Sequence, residues 1–75
     1  MRLSIIGASS PELALRVLNL LAQQDVVLDR AVIERCGDEC RITIRTAPLS
    51  SALGERIIAK IRAMVLVRSV EAHCE

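Results

Sequence analysis

Along this 75-residue chain the spacing of the apolar residues changes four times, and the order of those changes most restricts what it can fold into. A spacing near two marks a strand with one buried face, and a spacing near 3.6 marks a helix with one buried stripe. Arg2 to Ile6 reads as a strand, with Leu3 and Ile5 on one face and Arg2, Ser4 and Ile6 on the other. Gly7, Ala8, Ser9 and Ser10 break it. Pro11 suits the first turn of a helix, where a missing N–H costs nothing. Ser10 is then a natural N-cap, and Glu12 lies favourably in the positive first turn. This helix is expected to reach about Gln24, with Ala14, Val17, Leu18 and Leu21 as its buried stripe. Leu13 and Leu20 widen that stripe or face a neighbour.

A second strand is expected over Val26 to Arg35, where the alternation slips. Ala31 and Ile33 keep the phase of Val26 and Leu28 only if one extra residue sits near Asp29–Arg30, which predicts a β-bulge. Gly37-Asp38-Glu39 reads as a short hairpin connection. Cys40 to Thr46 then alternates cleanly, with Cys40, Ile42, Ile44 and Thr46 one way and Arg41, Thr43 and Arg45 the other. Ala47-Pro48 ends this strand. A second helix runs from about Leu49 or Ser50 to Arg62, on Leu49, Leu53, Ile57 and Ile61 every four residues, supported by Ile58 and Met64. Gly54 inside it points to close packing of helix on sheet. Val65 to about His73 is the last strand. The order β-α-β-β-α-β is that of an α+β, ferredoxin-like split βαβ domain over residues 1–75. It has a four-stranded antiparallel sheet, two helices on one face, and strands two and four at the edges.

Composition narrows the functions open to such a domain. The chain is 52% hydrophobic and lacks Phe, Tyr and Trp, so its core is aliphatic. That much aliphatic surface on a small domain suggests self-association or a partner. Without aromatic rings there is no stacking platform for single-stranded nucleic acid, and a net charge of +1 gives little attraction to phosphates, so no nucleic-acid partner is expected. No apolar run approaches the roughly 18 residues that span a membrane, and no secretory signal is expected. Three cysteines make an odd set that fits a reducing, cytoplasmic compartment better than a disulfide framework.

Residues that carry chemistry are few. Cys36 and Cys40 flank the hairpin and are placed to face each other across it. With His73 and Cys74 they form an imaginable metal set. The spacing matches no usual zinc pattern, so neither a metal nor a cofactor is expected, and the sulfurs read as small apolar residues. His73 has no nucleophile beside it, the carboxylates form no paired acid/base motif, and "GASS" lacks the lysine and length of a phosphate loop. No catalytic residue is expected. Arg2, Ser4, Ile6, Arg41, Thr43 and Arg45, with Arg30 and Val32 near them, should lie on the sheet face away from the helices. Arginines on neighbouring strands repel unless anions or partner carboxylates intervene. That face reads either as solvated or as a docking surface for a partner protein or second sheet.

The stretches "SPELALRVLNLL" (Ser10–Leu21), "QQDVVLDRAVIE" and "RITIRT" resemble the ACT domain, a small regulatory module that binds amino acids. They are similar in particular to the small regulatory subunit of acetolactate (acetohydroxyacid) synthase, in its short single-ACT form. The resemblance covers nearly the whole chain. It implies a non-catalytic regulatory domain, a homodimer or higher homo-oligomer, and a larger catalytic subunit as partner in branched-chain amino-acid biosynthesis. It also implies a small amino acid held at a dimer interface by the loop after strand one and the start of helix one, which here are Ala8, Ser9, Ser10, Pro11, Glu12 and Leu13. A helix N-terminus with free N–H groups suits the ligand's carboxylate. Where many such domains carry Gly after the proline, this chain has Glu12, which repels a carboxylate and attracts an ammonium group. The same loop also reads as a plain strand-to-helix connection. The alternatives to a sensor are a ligand-free dimerisation or assembly module, and a small metal- or redox-active protein.

Overall fold

Both helices bury their apolar stripes in one aliphatic core with the sheet. The computed structural model describes residues 1–73. It contains β1 (Arg2–Ala8), α1 (Pro11–Gln23), β2 (Leu28–Cys36), β3 (Glu39–Thr46), α2 (Ser51–Arg62) and β4 (Val67–His73). The strands form one antiparallel sheet in the order β2-β3-β1-β4, so β2 and β4 are the edges, as the sequence predicts. Leu3 and Ile5 of β1 and Ile42 and Ile44 of β3 meet Leu13, Val17 and Leu21 of α1 and Ile57 and Ile61 of α2 in a single aliphatic core. Thr46 is the buried polar residue of that core, and its hydroxyl donates to the Ala47 carbonyl at 2.8 Å.

The expected bulge is present. The β2–β3 register shifts between Leu28 and Arg30, after which Ala31 and Ile33 stand opposite Ile44 and Ile42 on the helix side. They are nevertheless not buried: Ile33, on the edge strand β2, is 50% exposed.

Several expected boundaries move, each for a local reason. Val26 is not in β2. It follows Asp25, whose φ of 57° turns the chain, and its N–H donates to Leu21 O at 3.0 Å while its side chain plugs the end of α1. The hairpin turn is Gly37-Asp38 alone, because Glu39 already pairs with Cys36. Gly37 has φ +61°, a conformation that glycine adopts without strain. β4 starts at Val67 rather than Val65: Val67 N–H donates to Met64 O at 3.1 Å in a turn, and Val65 is 96% exposed. In α1 the buried residues are Leu13, Val17, Leu20 and Leu21, with Ala14 and Leu18 on the flank. The helix is rotated so that Leu13 sits beneath Gly7 of β1.

Gly54 also departs from expectation. A Cβ built there lies 3.6 Å from Met1 Sδ and 4.0 Å from Met1 Cε, which is ordinary contact with a flexible side chain. Close packing on the sheet is therefore not its role. Gly54→Ala should stabilise the fold by up to about 1 kcal/mol through helix propensity. A thermal melt should show a rise of up to about 4–8 °C, and a fall would show that Met1 cannot yield.

Candidate functional site

Ser10 and Pro11 start α1 as the sequence suggests, but Gly7 and Ala8, expected to break β1, continue it opposite Cys40 and Glu39, so the connection is Ser9 and Ser10 alone, and the backbone of the tip is fully engaged. Ser10 is the N-cap of α1 and its hydroxyl oxygen accepts from Glu12 N–H at 3.3 Å. Leu13 N–H donates to Ser10 O at 3.2 Å, and Pro11 has no N–H. On the strand side, Ala8 N–H donates to Leu66 O (2.9 Å), Ser9 N–H to Asp38 O (3.0 Å) and Ser10 N–H to Ala8 O (2.8 Å). From Ala8 to Leu13 every backbone donor thus has a partner within the chain. Free N–H groups were the reason to expect a carboxylate here, and this conformation offers none.

What the tip does offer is side chains. Ser9 and Ser10 present hydroxyls, and Glu12 projects outward to Arg16 at 2.9 Å, with both side chains more than half exposed. An exposed i,i+4 pair holds together by only a few tenths of a kcal/mol, so it opens readily. Leu13 is fully buried and belongs to the core rather than to an open wall. Arg16 is the tip residue that sequence reasoning missed; its place four residues after Glu12 was the available signal.

The two hairpin cysteines do not face each other. Cys36 stands opposite Glu39, and Cys40 stands opposite Arg35 on the other face of the sheet. Cys36 is exposed, Cys40 is buried, and both are free thiols. Among the described residues no three or more His, Cys, Asp or Glu side chains come together as metal ligands; Cys74 lies outside the described residues.

The face away from the helices carries cross-strand rows. Arg30, Arg45, Arg2 and His73 make one row; Val32, Thr43, Ser4 and Glu71 the next; Glu34, Arg41, Ile6 and Ser69 the third. Between the first and third rows lies a shallow depression of about 320 Å³. A second groove of about 300 Å³ opens at the other end of β1 from the tip, among Met1, Leu49, Gly54, Ile58 and Ala72.

The family model for the ACT-like domain matches residues 1–74. This chain belongs to that family. No curated protein matches it by sequence. Among solved structures, the ACT-like domain superposes on the ACT domain from GTP pyrophosphokinase of Chlorobium tepidum with a TM-score of 0.82 at 13% identity, covering 93% of this chain and 91% of that one. The acetolactate synthase small subunit from Thermotoga maritima gives 0.75 at 18% identity, over 93% of this chain and 44% of that one. The regulatory subunit of aspartate kinase from Thermus thermophilus gives 0.65 at 13% identity, over 95% of this chain and 49% of that one. At these identities the likeness is one of fold. Among the described residues no helix is long and apolar enough to cross a membrane.

Proposed function

We propose that this ACT-like domain is a non-catalytic regulatory unit that pairs with a second copy and acts on a larger catalytic subunit, acetolactate synthase in branched-chain amino-acid biosynthesis. The observation that carries the pairing is the β2 edge. Nine residues of strand present one side of their backbone to no strand among the described residues, beside exposed Val27, Leu28 and Ile33. A second β2 laid alongside would extend the sheet and cover both the backbone and these side chains. The similarity of "SPELALRVLNLL" and "RITIRT" to acetolactate synthase small subunits supports the choice of partner. Light scattering on a size-exclusion column should give a dimer or larger at micromolar concentration, and Ile33→Arg should give a folded monomer. A wild-type monomer would refute the pairing.

A small amino acid at Ala8–Leu13 is the regulatory signal in this reading. With the backbone donors engaged, recognition falls on the Ser9 and Ser10 hydroxyls, on Glu12 for the ammonium group and on Arg16 for the carboxylate. Valine, leucine or isoleucine at ten times its dissociation constant should stabilise the dimeric protein by about 1.4 kcal/mol, read as a thermal shift that Glu12→Gln weakens. Absence of any shift with millimolar amino acids, in a sample shown to be dimeric, removes sensing. It leaves the second reading, a ligand-free assembly module, which the engaged N–H groups of the tip favour.

A further inference from the structure

We propose that the open face of the sheet holds a small anion of two or more negative charges in the depression between Arg2, Arg30 and Arg45. This site lies on the opposite side of the sheet from the helices and is independent of the regulatory reading above.

The register creates it. Arg30 pairs with Arg45, and Arg45 with Arg2, so three guanidinium groups stand on adjacent strands of one face. Directly opposed side chains on neighbouring strands have Cβ atoms only about 4.5–5.5 Å apart, and like charges there repel. The fold does not relieve this. The ion pairs among the described residues use Arg16, Arg41, Arg68 and His73, and none includes Arg2, Arg30 or Arg45. Glu34 lines the far side of the same depression, but the register sets it opposite Arg41, two rows away, and no ion pair joins it to the three arginines. Three cations against one carboxylate leave a net positive charge there that an anion would answer.

Size and surroundings select the kind of anion. The depression of about 320 Å³ is lined by the three arginines with Val32, Thr43 and Glu34. That volume is at the lower end of the range for small-molecule sites. Arginine forks bind phosphoryl and carboxylate oxygens in pairs, and the Thr43 hydroxyl adds a neutral donor. A single carboxylate would leave part of the positive charge unanswered. An extended nucleic acid would run past the depression to Glu71 and would find no aromatic ring to stack on. The occupant is therefore a compact polyanion carrying phosphoryl groups or several carboxylates.

The test is thermal unfolding of the full chain at fixed ionic strength, with sodium chloride replaced by pyrophosphate or by citrate. Either polyanion at ten times its dissociation constant should raise the melting temperature by about 6–11 °C above the chloride value. A response to pyrophosphate alone assigns phosphoryl chemistry, and a response to citrate alone assigns polycarboxylates. Arg45 is exposed, so Arg45→Gln should fold; it should melt higher than wild type without polyanion and lose most of the response to it. Arg56→Gln, on α2, should keep the full response. The proposal is overturned if both polyanions act no more strongly than matched chloride. It is equally overturned if Arg45→Gln responds as the wild type does.

Discussion

Gly7→Ala should lower the melting temperature by about 10–20 °C. Gly7 sits in β1 where the pairing with β4 shifts register between Ile6 and Gly7. A Cβ there would press into the Leu66 carbonyl oxygen, with Leu13 Cδ2 2.6 Å away. Neither obstacle yields easily. Leu66 O is backbone, and it accepts the Ala8 N–H bond at 2.9 Å that holds β1 to the turn before β4. Leu13 is wholly buried, so moving it displaces the start of α1 against the core. Overpacking of this kind costs about 2–3 kcal/mol, and each kcal/mol shifts the midpoint of a domain this size by roughly 4–8 °C. A melting temperature within a few degrees of wild type would show that the β4 turn can move away freely. The same variant tests the tip, because a displaced Leu66 or Leu13 should also disturb any response to amino acids.

The second large effect is expected at Ile57 of α2. Ile57→Ala should remove about 2–5 kcal/mol, by lost burial plus the cavity left behind. For a chain of 75 residues the whole stability is on the order of 4–11 kcal/mol, so this one truncation removes a large part of it. The effect is large because the core is small and wholly aliphatic. With no Phe, Tyr or Trp to spread over several neighbours, each of Leu3, Ile5, Leu13, Ile42, Ile44, Ile57 and Ile61 fills its own share. Urea unfolding at fixed protein concentration, needed because association adds to apparent stability, should place Ile57→Val within about 0.5–1.5 kcal/mol of wild type and Ile57→Ala well below it. Equal midpoints for the two variants would mean that the site collapses around the smaller side chain.

Much of the site's geometry was visible before any coordinates. The Ser10 cap, the Pro11 start and the Asp29–Arg30 bulge are local matters of chain chemistry and side-chain phase, and all three are present. The Arg2, Arg41 and Arg45 face likewise follows from alternation, and Arg30 joins it through the bulge. The engagement of the tip's N–H groups was not legible. The Ser9 donor goes to Asp38 and the Ala8 donor to Leu66, residues 29 and 58 positions further along the chain, and no local pattern reports such partners. Gly54 was misread for a similar reason: a helical glycine shows that a side chain is absent, and only the neighbour in space, here Met1, shows whether one would fit. Cys36 and Cys40 look like a facing pair until the two-residue turn sets them one step out of register, on opposite faces.

The sequence by itself determined the element order, the faces of β1 and β3 and the family to which the chain belongs. Periodicity and capping are properties of neighbouring residues and survive in any context. The tertiary structure alone decided which apolar residues stay uncovered, as Ile33 does on the β2 edge. It alone decided that Arg2 joins Arg30 and Arg45 in one row, with none of the three in an ion pair among the described residues. Both depend on how strands far apart in the chain come to lie side by side, and strand register is set by the packing of the whole sheet.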